Sequence, residues 1–378
     1  MKAICVVGAR PNFMKAAPVI DALRRLPAVQ VMLIHTGQHY DRQMSTLFFE
    51  ELGMPKPDLD LQVGSGSHGE QTGQIMVRFE PILKAERPDV VIVFGDVNST
   101  IAAALCAAKL QIAVAHVEAG LRSFDRSMPE ELNRILTDHL SDFLFTTEPS
   151  AKKNLLKEGI EEEKIFFVGN VMVDTLMKHR HRAEGRRMSQ QLGFDPKAYG
   201  LLTLHRPSNV DDEATFAEIL SAVEAVSAHL PIVFPCHPRT RQQISKSRTA
   251  QALMKPSHTV RPRLMLLDPL GYLEFLSLMI DARLVLTDSG GIQEETTVLG
   301  VPCLTLRENT ERPVTIEQGT NVLVGNRRDN IVAAAEKVLA SGNTHGRIPD
   351  LWDGKASERI AAVLNDRLRT LPETADRA

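Results

Sequence analysis

The fold is decided by the stretch Leu284-Val285-Leu286-Thr287-Asp288-Ser289-Gly290-Gly291-Ile292-Gln293-Glu294-Glu295. Its apolar residues predict a buried strand, its glycines predict a turn, and the residues after them predict the start of a helix. A helix N-terminus offers free backbone N–H groups and a partial positive charge, so it can hold an anion. Ser289, Gly290 and Gly291 would let a phosphate approach the backbone, because glycine has no Cβ in the way.

The same stretch also fits an ordinary helix start without a ligand. Glu294 and Glu295 lie in the predicted first turn, where acidic side chains favour the helix dipole. One of them could instead accept hydrogen bonds from sugar hydroxyls. From these residues alone, the plain helix cap and the anion site are equally good interpretations.

Length and composition restrict the class of protein. The chain has 378 residues, which is too long for one typical core and predicts two domains. Its net charge of -3 gives no electrostatic reason to expect a nucleic-acid or membrane partner. No apolar run approaches the roughly 18 residues of a membrane span, and the apolar N-terminal run is too short for a signal peptide. The four cysteines are far apart in apolar contexts, which predicts free buried thiols in a reducing cytoplasm and not a disulfide frame or zinc site.

Short apolar strands alternate with helices along the chain, on both sides of the opening stretch. Strands are predicted at 2–7, 30–35, 89–94, 111–117, 143–146 and 164–168, and then at 200–204, 231–234, 264–267, 284–287, 301–306 and 321–324. This alternation implies an α/β protein with parallel sheets and helices on both faces. The first series ends near Gly169, which predicts one domain over 1–169 and a second over 170–356, with a basic connecting helix at about 177–197.

Polar or glycine residues follow almost every predicted strand. They are Arg10, Gln38, Asp96, Glu118, His205, His237, Asp268, Ser289 and Arg312. Ligands of open parallel sheets bind outside the carboxyl ends of the strands, so two facing sheets would gather these residues around one cleft. Loops are polar in any protein, but that explains poorly why Asp96 and Glu118 directly follow apolar runs.

These residues form two chemical groups. The cations Arg10, Lys15 and Arg312 suit a diphosphate, and the acid/base candidates are Asp96, Glu118, Glu130 and His205. Taken singly, His205 fits a structural role as well as a catalytic one. Glu130 likewise fits an ordinary acidic residue in the first turn of a helix as well as a catalytic acid. Jointly, the residues predict a two-domain α/β protein that binds a phosphorylated, nucleotide-linked ligand.

Two motifs of nucleotide and nucleotide-sugar enzymes are absent or misplaced. The turn Gly8-Ala9-Arg10-Pro11 is not G-x-G-x-x-G, so the chain has no dinucleotide fingerprint there. The run Asp58-Leu59-Asp60 matches the D-x-D of metal-dependent glycosyltransferases. It lies in a loop, over 53–69, with no predicted strand before it, so we interpret it as surface.

Six motifs together resemble the non-hydrolysing UDP-N-acetylglucosamine 2-epimerase family. They are Gly8-Ala9-Arg10-Pro11 with Lys15, Gly95-Asp96, His116-Val117-Glu118-Ala119-Gly120-Leu121-Arg122, Pro129-Glu130-Glu131-Leu132-Asn133-Arg134, Thr287 to Glu295, and Thr310-Glu311-Arg312-Pro313. The resemblance runs from Lys2 to about Gly325. It implies the GT-B fold, with two Rossmann-like domains whose sheets face a central cleft and a last helix, at about 357–378, that returns to the N-terminal domain. It also implies a homodimer that interconverts UDP-GlcNAc and UDP-ManNAc.

The resemblance implies a role for each matching residue. Asp96, Glu118, Glu130 and His205 match the catalytic positions of the family. The diphosphate of UDP would be bound by Arg10, Lys15, Ser289, Gly290, Gly291 and Arg312, the ribose by Glu295, and the uracil would lie near Phe275. The implied ligands are UDP-GlcNAc, UDP-ManNAc and UDP, with no metal and no cofactor, because the cations can stabilise the departing diphosphate.

The chain departs from the family pattern at two places. His205-Arg206-Pro207-Ser208 stands where many bacterial members have His-Arg-Arg-Glu, and Tyr40-Asp41 follows Gln38-His39 where they have a different run. Those regions serve a regulatory UDP-GlcNAc site in such members, so the resemblance does not carry activation by substrate to this chain. The Gln38-His39-Tyr40-Asp41 run also resembles that of epimerases acting on UDP-2,3-diacetamido-2,3-dideoxyglucuronate, and this sugar stays an alternative substrate. A GT-B glycosyltransferase stays the alternative from another class of enzyme.

Overall fold

The computed structural model describes residues 1–38, 49–236, 238–246, 251, 262–341 and 346–369. The chain divides into two compact units, of which the second is His179–Pro349 and the first is the remainder, Met1–Lys178 with the chain from Asp350 onward. Each unit contains one sheet, and every strand pair in both sheets is parallel. The predicted parallel α/β architecture is therefore confirmed.

The first unit contains a seven-stranded sheet in the order β3-β2-β1-β4-β5-β6-β7. Its strands are β1 Lys2–Val7, β2 Gln30–His35, β3 Leu59–Asp60, β4 Val90–Phe94, β5 Ala113–Ala119, β6 Phe143–Thr146 and β7 Ile165–Phe167. Its helices include Arg10–Arg24, His68–Glu86, Asn98–Lys109, Pro129–Leu140, Pro149–Lys157 and Ala356–Arg369, with a 3-10 turn at Glu162–Lys164. The central strands β1 and β4 are almost wholly apolar and buried, as expected for a parallel sheet covered on both faces.

The second unit contains a six-stranded sheet in the order β10-β9-β8-β11-β12-β13. Its strands are β8 Gly200–Thr203, β9 Ile232–Pro235, β10 Leu264–Leu267, β11 Leu284–Thr287, β12 Cys303–Thr305 and β13 Asn321–Leu323. Its helices include Met188–Gln191, Pro207–Val210, Glu213–Ser227, Pro238–Lys246, Tyr272–Asp281, Gly290–Leu299, Val314–Glu317 and Arg328–Ser341. The opening stretch of the sequence is the fourth strand of this sheet and the helix after it, and Leu284 and Leu286 lie in the core of the unit.

The boundary between the units lies inside the helix Val171–Glu184. Its first turns belong to the first unit, where Thr175 Oγ1 donates to the carbonyl of Met14. Asp174 accepts from the backbone N–H groups of Ala356 and Ser357, at 3.1 and 2.7 Å, at the start of the last helix. The units therefore divide after Lys178 and Pro349, whereas the sequence indicated boundaries near 169 and 356.

Two sequence expectations for the first unit need correction. The predicted loop at 53–69 contains the short edge strand β3, so Asp58-Leu59-Asp60 is not entirely loop, although all three residues are exposed as predicted. The strand predicted at 111–117 begins and ends two residues later, at Ala113–Ala119. Its start is later because Gln111 has a positive φ of 56°, which is not an extended conformation, and its end is later because Glu118 continues the strand. Residues 49–52 are helical, and His237 lies outside the described residues.

Candidate active site

A buried ion pair lies at the carboxyl ends of β4 and β5. Lys15 Nζ donates to Glu118 Oε1 at 2.7 Å, and the two side chains are only 6% and 2% exposed. Gly95 follows β4 directly, and a Cβ at that position would lie 2.7 Å from Lys15 Nζ. Only glycine therefore leaves room for the ammonium group between the helix Arg10–Arg24 and Glu118.

Glu118 itself has an unusual backbone. Its φ is 77°, in the left-handed region that a glutamate rarely adopts. It sits at a register shift, where Val117 pairs with Phe145 and Ala119 with Thr146, so Glu118 is the extra residue of a β-bulge. Strain of this kind persists only where surrounding contacts impose it, and it concentrates at functional sites.

A buried charged network supports the bulge. His116 Nδ1 lies 2.7 Å from Asp138 Oδ1, and His116 Nε2 lies 2.8 Å from the carbonyl oxygen of Gly95. Asp138 also pairs with Arg122 Nη1 at 2.7 Å and accepts from the N–H of Gly120 at 3.1 Å. Burial raises the pKa of Asp138, but His116 and Arg122 outweigh it and hold that pKa below its ordinary value. Both ring nitrogens of His116 thus face oxygen atoms, which fixes the orientation of the ring beside the bulge.

Asp96 is held by the helix Pro129–Leu140. Arg134 Nη1 donates to Asp96 Oδ2 at 2.5 Å, and Asn133 Nδ2 donates to the Asp96 carbonyl at 2.9 Å. Arg134 also pairs with Glu131 at 2.8 Å, and Glu131 accepts from the N–H groups that precede the helix. Burial raises the pKa of Glu131, but these hydrogen bonds and Arg134 hold it below its ordinary value. Sequence reasoning missed Glu131, Asn133 and Arg134 as supporting residues, although they belong to the same short motif as Glu130.

Glu130 and Arg10 are the other two candidate residues of this unit. Glu130 is half-buried in the first turn of the helix Pro129–Leu140, three residues before Asn133. Arg10 begins the helix Arg10–Arg24, but its side chain lies outside the described part of the structure. The structure therefore brings Lys15, Glu118 and the Gly95-Asp96 turn together, with Glu130 on the helix that supports this turn.

In the second unit, Arg312 lies against the predicted anion turn. Ser289 precedes the helix Gly290–Leu299, and Ser289, Gly290 and Gly291 are half-buried. A Cβ on Gly290 would lie 2.6 Å from Arg312 Nη1, so glycine is required for this close approach. Arg312 is buried between two acids, with Nε 2.7 Å from Glu294 and Nη1 2.5 Å from Glu311. The predicted cation is thus beside the turn, and part of its charge is already compensated.

Glu295 is a deeply buried carboxyl that bonds a tyrosine hydroxyl. Tyr272 Oη donates to Glu295 Oε1 at 2.9 Å. Burial raises the pKa of Glu295 to about 8, with a smaller contribution from Glu294, and the bond from Tyr272 only partly offsets this. Phe275 is half-buried one turn after Tyr272, on the helix Tyr272–Asp281. Tyr272 was missed in the sequence, because its hydroxyl meets Glu295 only through the packing of two helices.

His205 follows β8, beside the end of β11. Its side chain is 60% exposed, and its Nδ1 lies 2.6 Å from Oδ1 of the fully buried Asp288. Parallel pairing of the two strands, with Thr203 opposite Thr287, brings the residues together. The sequence alone indicates no role for Asp288, because its contact with His205 depends on this pairing of separate strands.

Metal-ligand clusters and membrane-spanning helices are both absent from the residues that the structure describes. In the part of the chain that the structure describes, no group of three or more histidine, cysteine, aspartate or glutamate side chains could hold a metal ion. Within the same residues, no helix combines the length and apolarity needed to cross a membrane.

Two parallel α/β units, with buried charged groups at the carboxyl ends of their strands, define an enzyme of the GT-B architecture. The family model for UDP-N-acetylglucosamine 2-epimerase matches residues 21–365. The UDP-N-acetylglucosamine 2-epimerase of Methanocaldococcus jannaschii is 45% identical over 370 residues, which cover 96% of this chain and 99% of the relative. The chain belongs to the UDP-N-acetylglucosamine 2-epimerase family.

A solved structure and one more relative are similar to this chain over nearly its whole length. The crystal structure of Methanocaldococcus jannaschii UDP-GlcNAc 2-epimerase in complex with UDP-GlcNAc and UDP is 44% identical, with a TM-score of 0.88, and the match covers 97% of this chain and 100% of that one. The UDP-2,3-diacetamido-2,3-dideoxy-D-glucuronate 2-epimerase of Pseudomonas aeruginosa is 42% identical over 369 residues, or 96% of this chain and 99% of the relative.

The raised pKa of Glu295 predicts a pH-dependent stability of the ligand-free protein. The folded protein binds this proton more tightly than the unfolded chain, where the carboxyl titrates near 4.5. Its contribution to stability is therefore complete below about pH 4.5 and is lost as the pH rises through about 8. Glu295→Gln does not titrate, so its melting temperature relative to the natural protein should rise between about pH 5 and about pH 9. A difference that does not change with pH would contradict the assignment, and Glu163→Gln, at an exposed position, serves as control.

Proposed function

We propose that this protein interconverts UDP-GlcNAc and UDP-ManNAc. The observation that carries the proposal is the strained, buried Glu118 beside Lys15 and the Asp96 turn, in a chain that belongs to an epimerase family. A second support is the close relative whose crystal structure contains UDP-GlcNAc and UDP. We further propose that the enzyme is homodimeric, as the family resemblance implies, and cytoplasmic, as its four free buried cysteines suggest.

The reaction has to invert C2 of the sugar, which carries a proton that no carbonyl group acidifies. Removal of this proton while the C1–O bond breaks solves the problem, because the electron pair of the C2–H bond forms the C1–C2 double bond. The bonding pair of the C1–O bond leaves with UDP, and the products are 2-acetamidoglucal and UDP. Protonation of C2 from the opposite face, with return of the UDP oxygen to C1, gives the epimer.

Acid/base groups are needed on both faces of the sugar ring. We assign this work to Asp96, Glu118 and Glu130, with His205 as a further proton carrier. Glu118 begins with its charge balanced by Lys15, so a proton transferred from C2 would leave a neutral acid beside an ammonium group. Which carboxylate takes the first proton follows from the face of the sugar that each one meets in the bound complex.

Binding and departure of UDP require a preorganised positive site. We assign the diphosphate to the N–H groups of Ser289, Gly290 and Gly291, with Arg10, Lys15 and Arg312 as cations. The compensation of Arg312 by Glu294 and Glu311 fixes its guanidinium beside Gly290 before the ligand arrives. Glu295 would accept from ribose hydroxyls, and Phe275 would lie near the uracil.

The second candidate function keeps the reaction and changes the sugar. It is supported by the 42% identity to the UDP-2,3-diacetamido-2,3-dideoxy-D-glucuronate 2-epimerase and by the Gln38-His39-Tyr40-Asp41 run. That substrate adds a carboxylate and a 3-acetamido group. A comparison of kcat/KM for the two UDP-sugars decides between them, since the physiological sugar should be favoured by at least about tenfold.

Incubation with UDP-GlcNAc in D2O tests the proposed reaction directly. Proton removal at C2 and return from solvent should place deuterium at C2 of both UDP-sugars, and UDP-ManNAc should accumulate to equilibrium, as followed by NMR. The Glu118→Gln variant is the negative control for adventitious exchange. No deuterium at C2 and no UDP-ManNAc, with the diacetamido sugar also unchanged, would overturn the proposal.

Neutralisation of each carboxylate tests the assigned catalytic groups. Asp96→Asn, Glu118→Gln and Glu130→Gln should each lower kcat by about 100-fold or more, because loss of a general acid or base costs about that factor. The amide side chains keep the size and an acceptor oxygen, so circular dichroism and melting should show a folded protein. Glu163→Gln, at an exposed site away from these strand ends, is the matched control. Full activity in all three variants would contradict the assignment.

A further inference from the structure

Asp288 makes more contacts than a residue that merely pairs with His205. It is fully buried at the end of β11, and its Oδ2 accepts from the backbone N–H of Arg206 at 3.0 Å and from Asn209 Nδ2 at 3.2 Å. The backbone N–H of His205 lies 3.2 and 3.1 Å from the two carboxylate oxygens. One carboxylate thus holds both the main chain and the ring of His205.

The ionised state of Asp288 follows from these contacts. Burial raises its pKa, but His205 and the two backbone N–H groups outweigh burial and keep the pKa below its ordinary value. Other charges close by are Arg206, whose Nε donates to the Asp288 carbonyl at 3.1 Å, and Glu311, 3.9 Å from Arg206 Nη2. A carboxylate facing Nδ1 at 2.6 Å requires a hydrogen on that nitrogen.

We propose that Asp288 is a positioning residue that fixes the tautomer and orientation of His205. With the hydrogen on Nδ1, the neutral ring has its lone pair on Nε2, and the protonated ring carries its second hydrogen there. Nε2 is then the nitrogen that exchanges a proton with the substrate or assists the departing diphosphate. The carboxylate also stabilises the imidazolium that forms when Nε2 takes a proton. This inference rests on the proposed function of His205 and adds the residue that makes it effective.

The arrangement also explains the wide exposure of His205. No packed core orients an exposed imidazole. A freely rotating ring would hold its nitrogens in the reactive geometry for only part of the time, which slows catalysis. Here the buried carboxylate fixes Nδ1, while the rest of the ring stays 60% exposed. His205 can therefore reach a ligand without being packed into the protein.

The tautomer is measured on the natural protein labelled with 15N-histidine. The His205→Gln variant, at an exposed position, identifies the signals of His205 among those of the 12 histidines. In the natural protein, we expect the neutral His205 ring to carry its hydrogen on Nδ1. In Asp288→Asn, we expect the mixture of the two tautomers that exposed histidines show. A ring with hydrogen on Nε2 in the natural protein would overturn the proposal, whether or not the Asp288 variant folds.

Kinetics provide the second test. Asp288→Asn should lower kcat by about 10- to 100-fold with KM for UDP-GlcNAc within about threefold, because the loss concerns orientation and not ligand binding. The double variant with His205→Gln should be no slower than His205→Gln alone, since Asp288 acts through His205. Asp212→Asn, an exposed helix cap in the same loop, is the matched control.

The outcomes separate this inference from the proposed function. Losses that multiply in the double variant would show that Asp288 acts independently of His205 and would overturn the inference. Absence of C2 exchange in the natural protein would instead refute the epimerase proposal, and the tautomer measurement would still stand as a test of the dyad.

Discussion

The buried pair of Lys15 and Glu118 is the interaction on which the candidate site depends. Two charges with almost no solvent contact are stable only when they are paired, because removal of one partner leaves an uncompensated buried charge. The pair in turn requires Gly95, which alone leaves space for the ammonium group, and the β-bulge, which turns Glu118 out of the regular strand. The chain therefore concentrates several constraints at one pair of strand ends, and we interpret that concentration as the mark of catalysis.

A common design supports three of the functional positions. Asp138, Glu131 and Asp288 are buried carboxylates, and each accepts at least one backbone N–H of a loop while it bonds a basic side chain. The basic partners are Arg122 and His116 for Asp138, Arg134 for Glu131, and His205 for Asp288. Each carboxylate thus fixes a loop and a basic side chain together, and these loops carry Glu118, Asp96 and His205 or lie beside them. Fixed dipoles and charges of this kind stabilise a transition state without reorganisation during the reaction.

Much of the fold could be predicted from the sequence, because apolar strands and helix starts are local signals. The strands 2–7, 30–35, 143–146 and 264–267 have the predicted limits. The bulge at Glu118 could not be predicted, since the pattern of apolar residues along the strand gives no sign of the positive φ of Glu118 or of the register shift between Val117 and Ala119. The partners of the candidate residues were equally hidden: Tyr272 meets Glu295, and Asp288 meets His205, only through packing of separate elements. The bond from the ammonium group of Lys15 to Glu118 was hidden too, since 103 positions separate the two residues in the sequence.

A double-mutant cycle of Lys15 and Glu118 tests most directly whether this pair acts as one catalytic unit. The measured quantity is kcat for C2 proton exchange in Lys15→Met, Glu118→Gln and the double variant, with folding checked for each. The account predicts that each single change lowers kcat by about 100-fold or more and that the double variant is little worse than the slower single one. Losses that multiply would contradict the account, because the two residues would then contribute independently.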